Sequence, residues 1–183
     1  KEDEYQDAKV VDLDGKFVYP GFCDSHVHPV EVGSIIGAAD LFGCVTSDQI
    51  AKKMADVAQQ TPKGELVIGN GFYPKDYTAW SLADLAKVDK AIGDHPALMF
   101  DQLGHNFIVN TIGMKKCDIT AKTAVPLGGR MITEGNQPTG MFMETGMLLA
   151  GNKLLKLINP QKAKKGIKQF LDLWASMGYT AIV

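Results

Sequence analysis

The sequence has few cysteines and no long apolar run, and each shortage excludes a class of protein. The three cysteines, Cys23, Cys44 and Cys117, are an odd number at unrelated spacings and form no Cys-x-x-Cys pair. This pattern argues against a disulfide framework or a cysteine zinc site and favours a reducing compartment, so we expect a cytoplasmic protein. No apolar run approaches the roughly 20 residues of a membrane-spanning helix, and no signal-peptide pattern is visible in these residues.

The chain also lacks a strong excess of charge. Its 183 residues include 19 Lys or Arg and 21 Asp or Glu, for a formal net charge of −2 and a pI near 6.1. A balance of this kind gives no electrostatic reason to expect nucleic acid or an anionic membrane as a partner. With 45% hydrophobic residues, the composition is that of an ordinary globular domain with a core of its own.

The segment from Pro20 to Pro29 is the most informative, because it holds two of only four histidines. Side chains alternate along a strand, so His26 and His28 would project to one side, as two ligands of one metal ion would. Asp24 shares that face, and the prolines place the histidines at the carboxyl end of a short strand. The segment therefore predicts a metal site, with two buried, hydrogen-bonded histidines as the alternative.

Elsewhere the pattern alternates between helices and strands, which favours an α/β fold. Capping residues and apolar spacing predict helices over 47–60, from Ser81 to about 92, and over 160–177. Strands are predicted over 65–71, 97–103 and 180–183, with hairpins turning at Asp14-Gly15 and between 126–133 and 138–144.

The string Pro20-Gly21-Phe22-x-Asp24-x-His26-x-His28 resembles the first-strand signature of the amidohydrolase superfamily. Three later strings, in order, resemble the branch related to N-substituted formamide deformylases. They are Gly104-His105 followed by Val109-Asn110, then Gly128-Gly129-Arg130, then Pro138-Thr139-Gly140 with Glu144 four residues on. The resemblance thus covers nearly the whole chain.

The resemblance implies the N-terminal portion of a (β/α)8 TIM-type barrel that carries an inserted α+β substructure. A complete barrel usually needs about 250 residues, so we expect an incomplete barrel and an N-terminal fragment. Residues 1–18 would end a small β-domain, 19–39 would form the first barrel strand and metal-ligand loop, 40–145 the insertion, and 146–183 a helix and the next barrel strand.

The resemblance also implies a hydrolase that uses metal-activated water to cleave a non-peptide carbon–nitrogen bond, of the amide or N-formyl type, in a small-molecule substrate. His26 and His28 would hold a divalent metal, zinc, with one or two ions in the full-length protein. Glu144 is a candidate further ligand, or else an exposed residue at a hairpin end. Asp24 and His105 are the candidate catalytic residues: Asp24 would orient a ligand, and His105 would contact substrate or stabilise the oxyanion, unless it is a turn histidine bonded to backbone.

Further ligands and a catalytic aspartate would come from later barrel strands, so we expect this chain alone to be inactive. A truncated barrel exposes apolar faces, which favours a homo-oligomer or poor solubility. Two rival interpretations stay open. Phosphoesterases with a His-x-His pair lack the Pro-Gly-Phe segment that precedes it here, and a non-catalytic binding or association module would need no metal at all.

Overall fold

The computed structural model describes residues 7–73 and 79–183, and the chain divides into two compact units. The first unit comprises the described residues up to Val27 together with Leu171–Val183, and the second comprises His28–Phe170. The chain contains both helices and strands, and its strands pair in parallel as well as antiparallel, so the protein is a mixed α/β protein.

The first unit is built on two parallel strands that are distant in sequence. Strand β1 (Phe22–Asp24) pairs with β8 (Tyr179–Ile182), and Phe22 lies opposite Tyr179. The rings of Phe22 and Trp174 each lie 6.0 Å, centroid to centroid, from that of Tyr179. Gly21 packs against Thr180 so closely that a Cβ atom would overlap the threonine side chain, which explains why a glycine precedes the strand.

The second unit contains a six-stranded sheet in the order β2-β3-β4-β5-β7-β6. Strands β2, β3 and β4 are parallel, whereas β5, β6 and β7 are paired antiparallel. Their bounds are β2 Ala39–Asp40, β3 Val67–Phe72, β4 Ala97–Asp101, β5 Asn106–Val109, β6 Arg130–Glu134 and β7 Gln137–Met143.

The helices begin where the sequence supplies capping groups. Thr46 forms a capping box with Gln49 at the start of α2, and Ser81 forms one with Asp84 at the start of α3. The helices are α1 Pro29–Ile35, α2 Ser47–Ala58, α3 Leu82–Ile92, α4 Thr111–Lys116, α5 Gly151–Leu154 and α6 Pro160–Ser176, with 3-10 segments at Glu144–Leu149 and Leu155–Leu157.

Apolar residues that alternate along the sheet form two cores, one on each face. Met99 and Ile108 pack in one core with Met54 of α2 and Val88 of α3. The second core contains residues from β4, β5, β7 and α4 and from the segment that follows β7: Leu98, Phe107, Val109, Phe142, Met114 and Leu154. Both cores lie within the second unit and hold the strand ends of its sheet in place.

The structure confirms the three predicted helices and the hairpin, whose turn is Gly135-Asn136, with Gly135 at a φ of 59°. The predicted hairpin at Asp14-Gly15 is wrong. The turn itself forms, with Lys16 N donating to Leu13 O at 2.9 Å, but no strand flanks it within residues 7–21. Val10 and Phe17 are 89% and 87% exposed, and a two-stranded hairpin without a covered apolar face is only marginally stable.

Helix α1 and strand β5 were not expected from the sequence.

Among the described residues, no helix combines the length and the apolar character that crossing a membrane requires.

Candidate active site

Asp24 and His26 lie in the first unit, at the end of β1. The strand ends at Asp24, so His26 and His28 follow it rather than lie in it, and strand alternation does not set their directions. Asp24 Oδ1 accepts a hydrogen bond from the backbone N–H of His26 at 3.2 Å, and its Oδ2 accepts one from Trp174 Nε1 at 2.9 Å. Asp24 therefore restrains the backbone that carries His26.

His28 lies in the second unit, at the residue before the first turn of α1. Its Nδ1 is 3.2 Å from Glu31 Oε2, and both side chains are largely exposed. Pro29 fits the first helical position because its fixed φ suits a helix start, and the helical first turn brings Glu31, three residues on, to the side of His28. A neutral His28 that donates from Nδ1 carries its lone pair on Nε2, the arrangement typical of metal-binding histidines with a carboxylate partner.

His105 and Glu144 are brought together by antiparallel pairing in the second unit. Asn106 of β5 lies opposite Met143 of β7, and Glu144 N donates to His105 O at 2.8 Å. Their side chains meet with His105 Nδ1 3.1 Å from Glu144 Oε2. The hydrogen bond to Glu144 and the charge of that carboxylate raise the pKa of His105 above its ordinary value. The pair is therefore an imidazolium–carboxylate pair over a wider pH range than an isolated histidine would allow.

Glu144 adopts a left-handed backbone conformation, with a φ of 51°. The other described non-glycine residues with positive φ are Asp14 and Asp118, whose short polar side chains tolerate this region better than a glutamate does. Such conformations cost free energy and persist where surrounding structure holds them, often at functional sites. Here the hydrogen bond from Glu144 N and the end of β7 hold it.

Asp101 fixes the loop that leads to His105. It ends strand β4, is 2% exposed, and its Oδ1 accepts hydrogen bonds from the backbone N–H groups of His105 at 2.8 Å and Asn106 at 3.0 Å. Its Oδ2 accepts a further bond from Asn106 Nδ2 at 2.8 Å.

The roles of Asp101 and Glu31 were not recognised from the sequence. Asp101 could have been found as an acidic residue directly after an apolar strand, four residues before a histidine. Glu31 could have been found from its helical spacing to His28.

The donor types of the two histidines fit a divalent metal such as zinc, because imidazole nitrogen is a ligand that zinc prefers. A complete ligand set is not assembled: within residues 7–73 and 79–183, no group of three or more His, Cys, Asp or Glu side chains could hold a metal ion. Further donors would be needed for the three protein ligands of a catalytic zinc site.

Comparison with known sequences gives a match over almost the whole chain. Residues 9–183 match the profile of the amidohydrolase family. The chain is 28% identical over 174 residues to Protein LONG AFTER FAR-RED 3 of Arabidopsis thaliana, covering 94% of this chain and 30% of that protein. It is 27% identical over 144 residues to N-substituted formamide deformylase of Arthrobacter pascens, covering 75% of this chain and 26% of that protein.

Two solved structures are similar in fold. An uncharacterized metal-dependent hydrolase from Pyrococcus furiosus matches 98% of this chain and 34% of its own, with a TM-score of 0.63 and 18% identity. One from Pyrococcus horikoshii matches 89% of this chain and 30% of its own, with a TM-score of 0.57 and 18% identity. The chain therefore spans between 26% and 34% of the length of these four relatives.

Proposed function

Because this chain belongs to the amidohydrolase family, we propose that it is the N-terminal part of a metal-dependent hydrolase that cleaves an amide or N-formyl carbon–nitrogen bond other than a peptide bond. The similarity to a deformylase named for N-substituted formamides supports this class of substrate. The fold shared with two metal-dependent hydrolases agrees with a divalent metal as the cofactor.

The observation that carries the proposal is the contact between His28 Nδ1 and Glu31 Oε2, at the end of a segment that matches the family signature. We assign His26 and His28 as metal ligands, zinc as the metal, and Glu144 as a candidate carboxylate ligand. A bound zinc ion would act as a Lewis acid toward the substrate carbonyl group and would lower the pKa of a bound water molecule to about 7. Glu31 would keep His28 in the tautomer that presents Nε2.

The remaining candidate residues would hold other groups in place or stabilise the negative charge that develops on the substrate. Asp24 is a positioning residue, since its carboxylate holds the backbone of His26 and the indole of Trp174. His105 would donate a hydrogen bond from Nε2 to the oxygen on which negative charge develops, and the raised pKa of His105 beside Glu144 keeps that donor charged to a higher pH. Asp101 would keep His105 in place through its backbone.

For the fold, we propose that β1 and β8 are consecutive strands of a TIM-type barrel and that residues 40–145 are an insertion between them. The parallel pairing of β1 with β8, and the helix α6 that precedes β8, support this arrangement. Residues 19–39 then carry the first strand and the ligand loop, 146–183 the next helix and strand, and 1–18 the approach from a small β-domain. The missing ligands would lie on further barrel strands, so the 183 residues alone would not hydrolyse substrate.

Equilibrium dialysis against Zn²⁺ tests the ligand assignment. The parent chain is expected to take up zinc, and His26→Ala and His28→Ala are each expected to weaken binding at least tenfold. His95→Gln is the matched control, because His95 bonds to Glu65 O and takes no part in the proposed site. Equal zinc content in the parent and in both alanine variants would overturn the assignment. Release of formate from an N-alkylformamide by the 183-residue chain would contradict the proposal that this chain lacks part of the active site.

A further inference from the structure

We infer that a cleft in the second unit, here called the Phe100 cleft, binds an uncharged or cationic apolar substituent of the substrate and rejects anionic substituents. The inference rests on the proposed function, since it assigns the substrate class of that same hydrolase. It concerns only residues of the second unit, from His28 to Ala163.

The Phe100 cleft lies where α/β sheets usually bind ligands. Asn70 of β3 and Asp101 of β4 line it, and both residues lie at or near the carboxyl ends of parallel strands. Its volume is about 840 Å³, within the range of roughly 300–1,000 Å³ that is usual for small-molecule sites. Position and size therefore both suit a small organic ligand.

Most of the cleft wall is apolar, with residues contributed by α1, by the strand ends and by the segment before α6. They include Val30, Ile35, Phe100, Leu103, Phe107 and Leu155. One side is held by a close crossing of α1 and α6, where a Cβ atom on Gly166 would overlap the carbonyl of Gly33. An alkyl or aryl group in this cleft would lose contact with water, which is favourable by about 25 cal/mol for each Å² of apolar surface buried.

Charge restricts the class of ligand further. The acidic residues that line the cleft are Glu31 and Asp101, and the described lining residues include no lysine or arginine. A carboxylate or phosphate on the substituent would meet like charge and no lysine or arginine, whereas a neutral or cationic substituent would meet no such repulsion. His28, a proposed metal ligand, also lines the cleft, so the bond to be cleaved would lie at the His28 end and the substituent toward Phe100 and Leu103.

Three formamides of similar length test this inference: N-hexylformamide, the cationic N-(6-aminohexyl)formamide, and the anionic 6-formamidohexanoate. Binding to the 183-residue chain is measured by saturation-transfer NMR and calorimetry in the presence of a chelator, so that neither metal nor hydrolysis contributes. The neutral and cationic compounds are expected to bind at least tenfold more tightly than the anion. Equal binding of all three, tighter binding of the anion, or no binding of any compound would overturn the inference.

Variants locate the binding in the cleft. Leu103→Asp adds a carboxylate at an exposed lining position. It is expected to weaken the binding of N-hexylformamide at least fivefold while leaving folding intact. Leu127→Asp is the matched control, because Leu127 is fully exposed and does not line the cleft. Equal effects of the two substitutions would refute the location. Because metal is absent from these measurements, a negative result here leaves the zinc dialysis result unaffected, and the two proposals fail separately.

Discussion

Glu144 Oε2 lies 3.1 Å from His105 Nδ1, although 39 positions separate the two residues in the chain. The contact exists because β5 and β7 pair antiparallel and because Glu144 accepts a strained backbone conformation at the end of β7. Both side chains are more than half exposed, so the pair faces solvent rather than the core. Its main consequence is electrostatic, since it favours the protonated form of His105.

Removing the carboxylate is expected to lower the pKa of His105. In Glu144→Gln, an NMR titration of the histidine ring protons should show that the pKa of His105 falls toward the ordinary value of about 6.5. Because the folded-state pKa of His105 is raised, the pair stabilises the parent fully below the ordinary value, and this contribution is lost as pH rises through the raised value. Glu31→Gln is the control and should leave the titration of His105 unchanged; an unchanged pKa in Glu144→Gln would refute the coupling.

Asn110→Ala is expected to destabilise the protein by about 2–4 kcal/mol. Asn110 is fully buried, and its Oδ1 accepts hydrogen bonds from Gly113 N at 2.9 Å and Ala97 N at 2.7 Å, while Nδ2 donates to His95 O at 2.9 Å. Alanine would leave these three backbone groups without partners. Urea unfolding gives the measurement, with the exposed Asn152→Ala as control; a loss no larger than that of the control would show that these bonds carry no net stability.

Gly166→Ala should destabilise the second unit, against the usual trend for glycine in a helix. Alanine normally gains about 1 kcal/mol over glycine at a helix interior. At position 166, however, a Cβ would overlap the backbone of Gly33, so the helices would have to separate, at a cost of roughly 1–3 kcal/mol. The midpoint temperature of thermal unfolding should be lower for Gly166→Ala than for the parent and for the exposed control Lys165→Ala. A gain in stability would mean that α1 and α6 do not cross at this point.

Asp24→Ala should affect both stability and metal uptake. It removes the acceptor for His26 N and for Trp174 Nε1, which we expect to cost about 1–3 kcal/mol in urea unfolding. Zinc affinity should fall about 10- to 100-fold, as when residues that orient metal ligands are lost. Asp24→Asn retains one acceptor oxygen and should show a smaller loss of both. If zinc affinity were the same in Asp24→Ala as in the parent, Asp24 would not be a positioning residue for the site.

Features with local signals were predictable from the sequence. Helices α2 and α3 begin at capping boxes formed by residues three apart, and α6 begins with Asn159 before Pro160, so their starts follow from short patterns. The hairpin at Gly135-Asn136 is likewise set by its turn residues. In each case the hydrogen bonds that decide the structure join near neighbours in the chain.

Other features were missed because their local signals are ambiguous or because they depend on distant contacts. Pro29 indicates the end of a strand as readily as the start of a helix, so α1 and its Glu31 were missed. The pairing of His105 with Glu144 depends on the register of β5 against β7, which neither segment reveals alone. The hairpin predicted at Asp14-Gly15 does not form, because the apolar residues that flank the turn have no sheet to join within the described residues.

The most direct test of the metal site is an NMR titration of the four histidine side chains with Zn²⁺, followed by long-range nitrogen–proton correlation. We predict that the ring signals of His26 and His28 move first, with coordination at Nε2 of His28 and with its Nδ1–H retained beside Glu31, while His95 stays unchanged. A titration in which zinc moves neither His26 nor His28, or moves His95 before them, would contradict the assignment of a metal site to this chain.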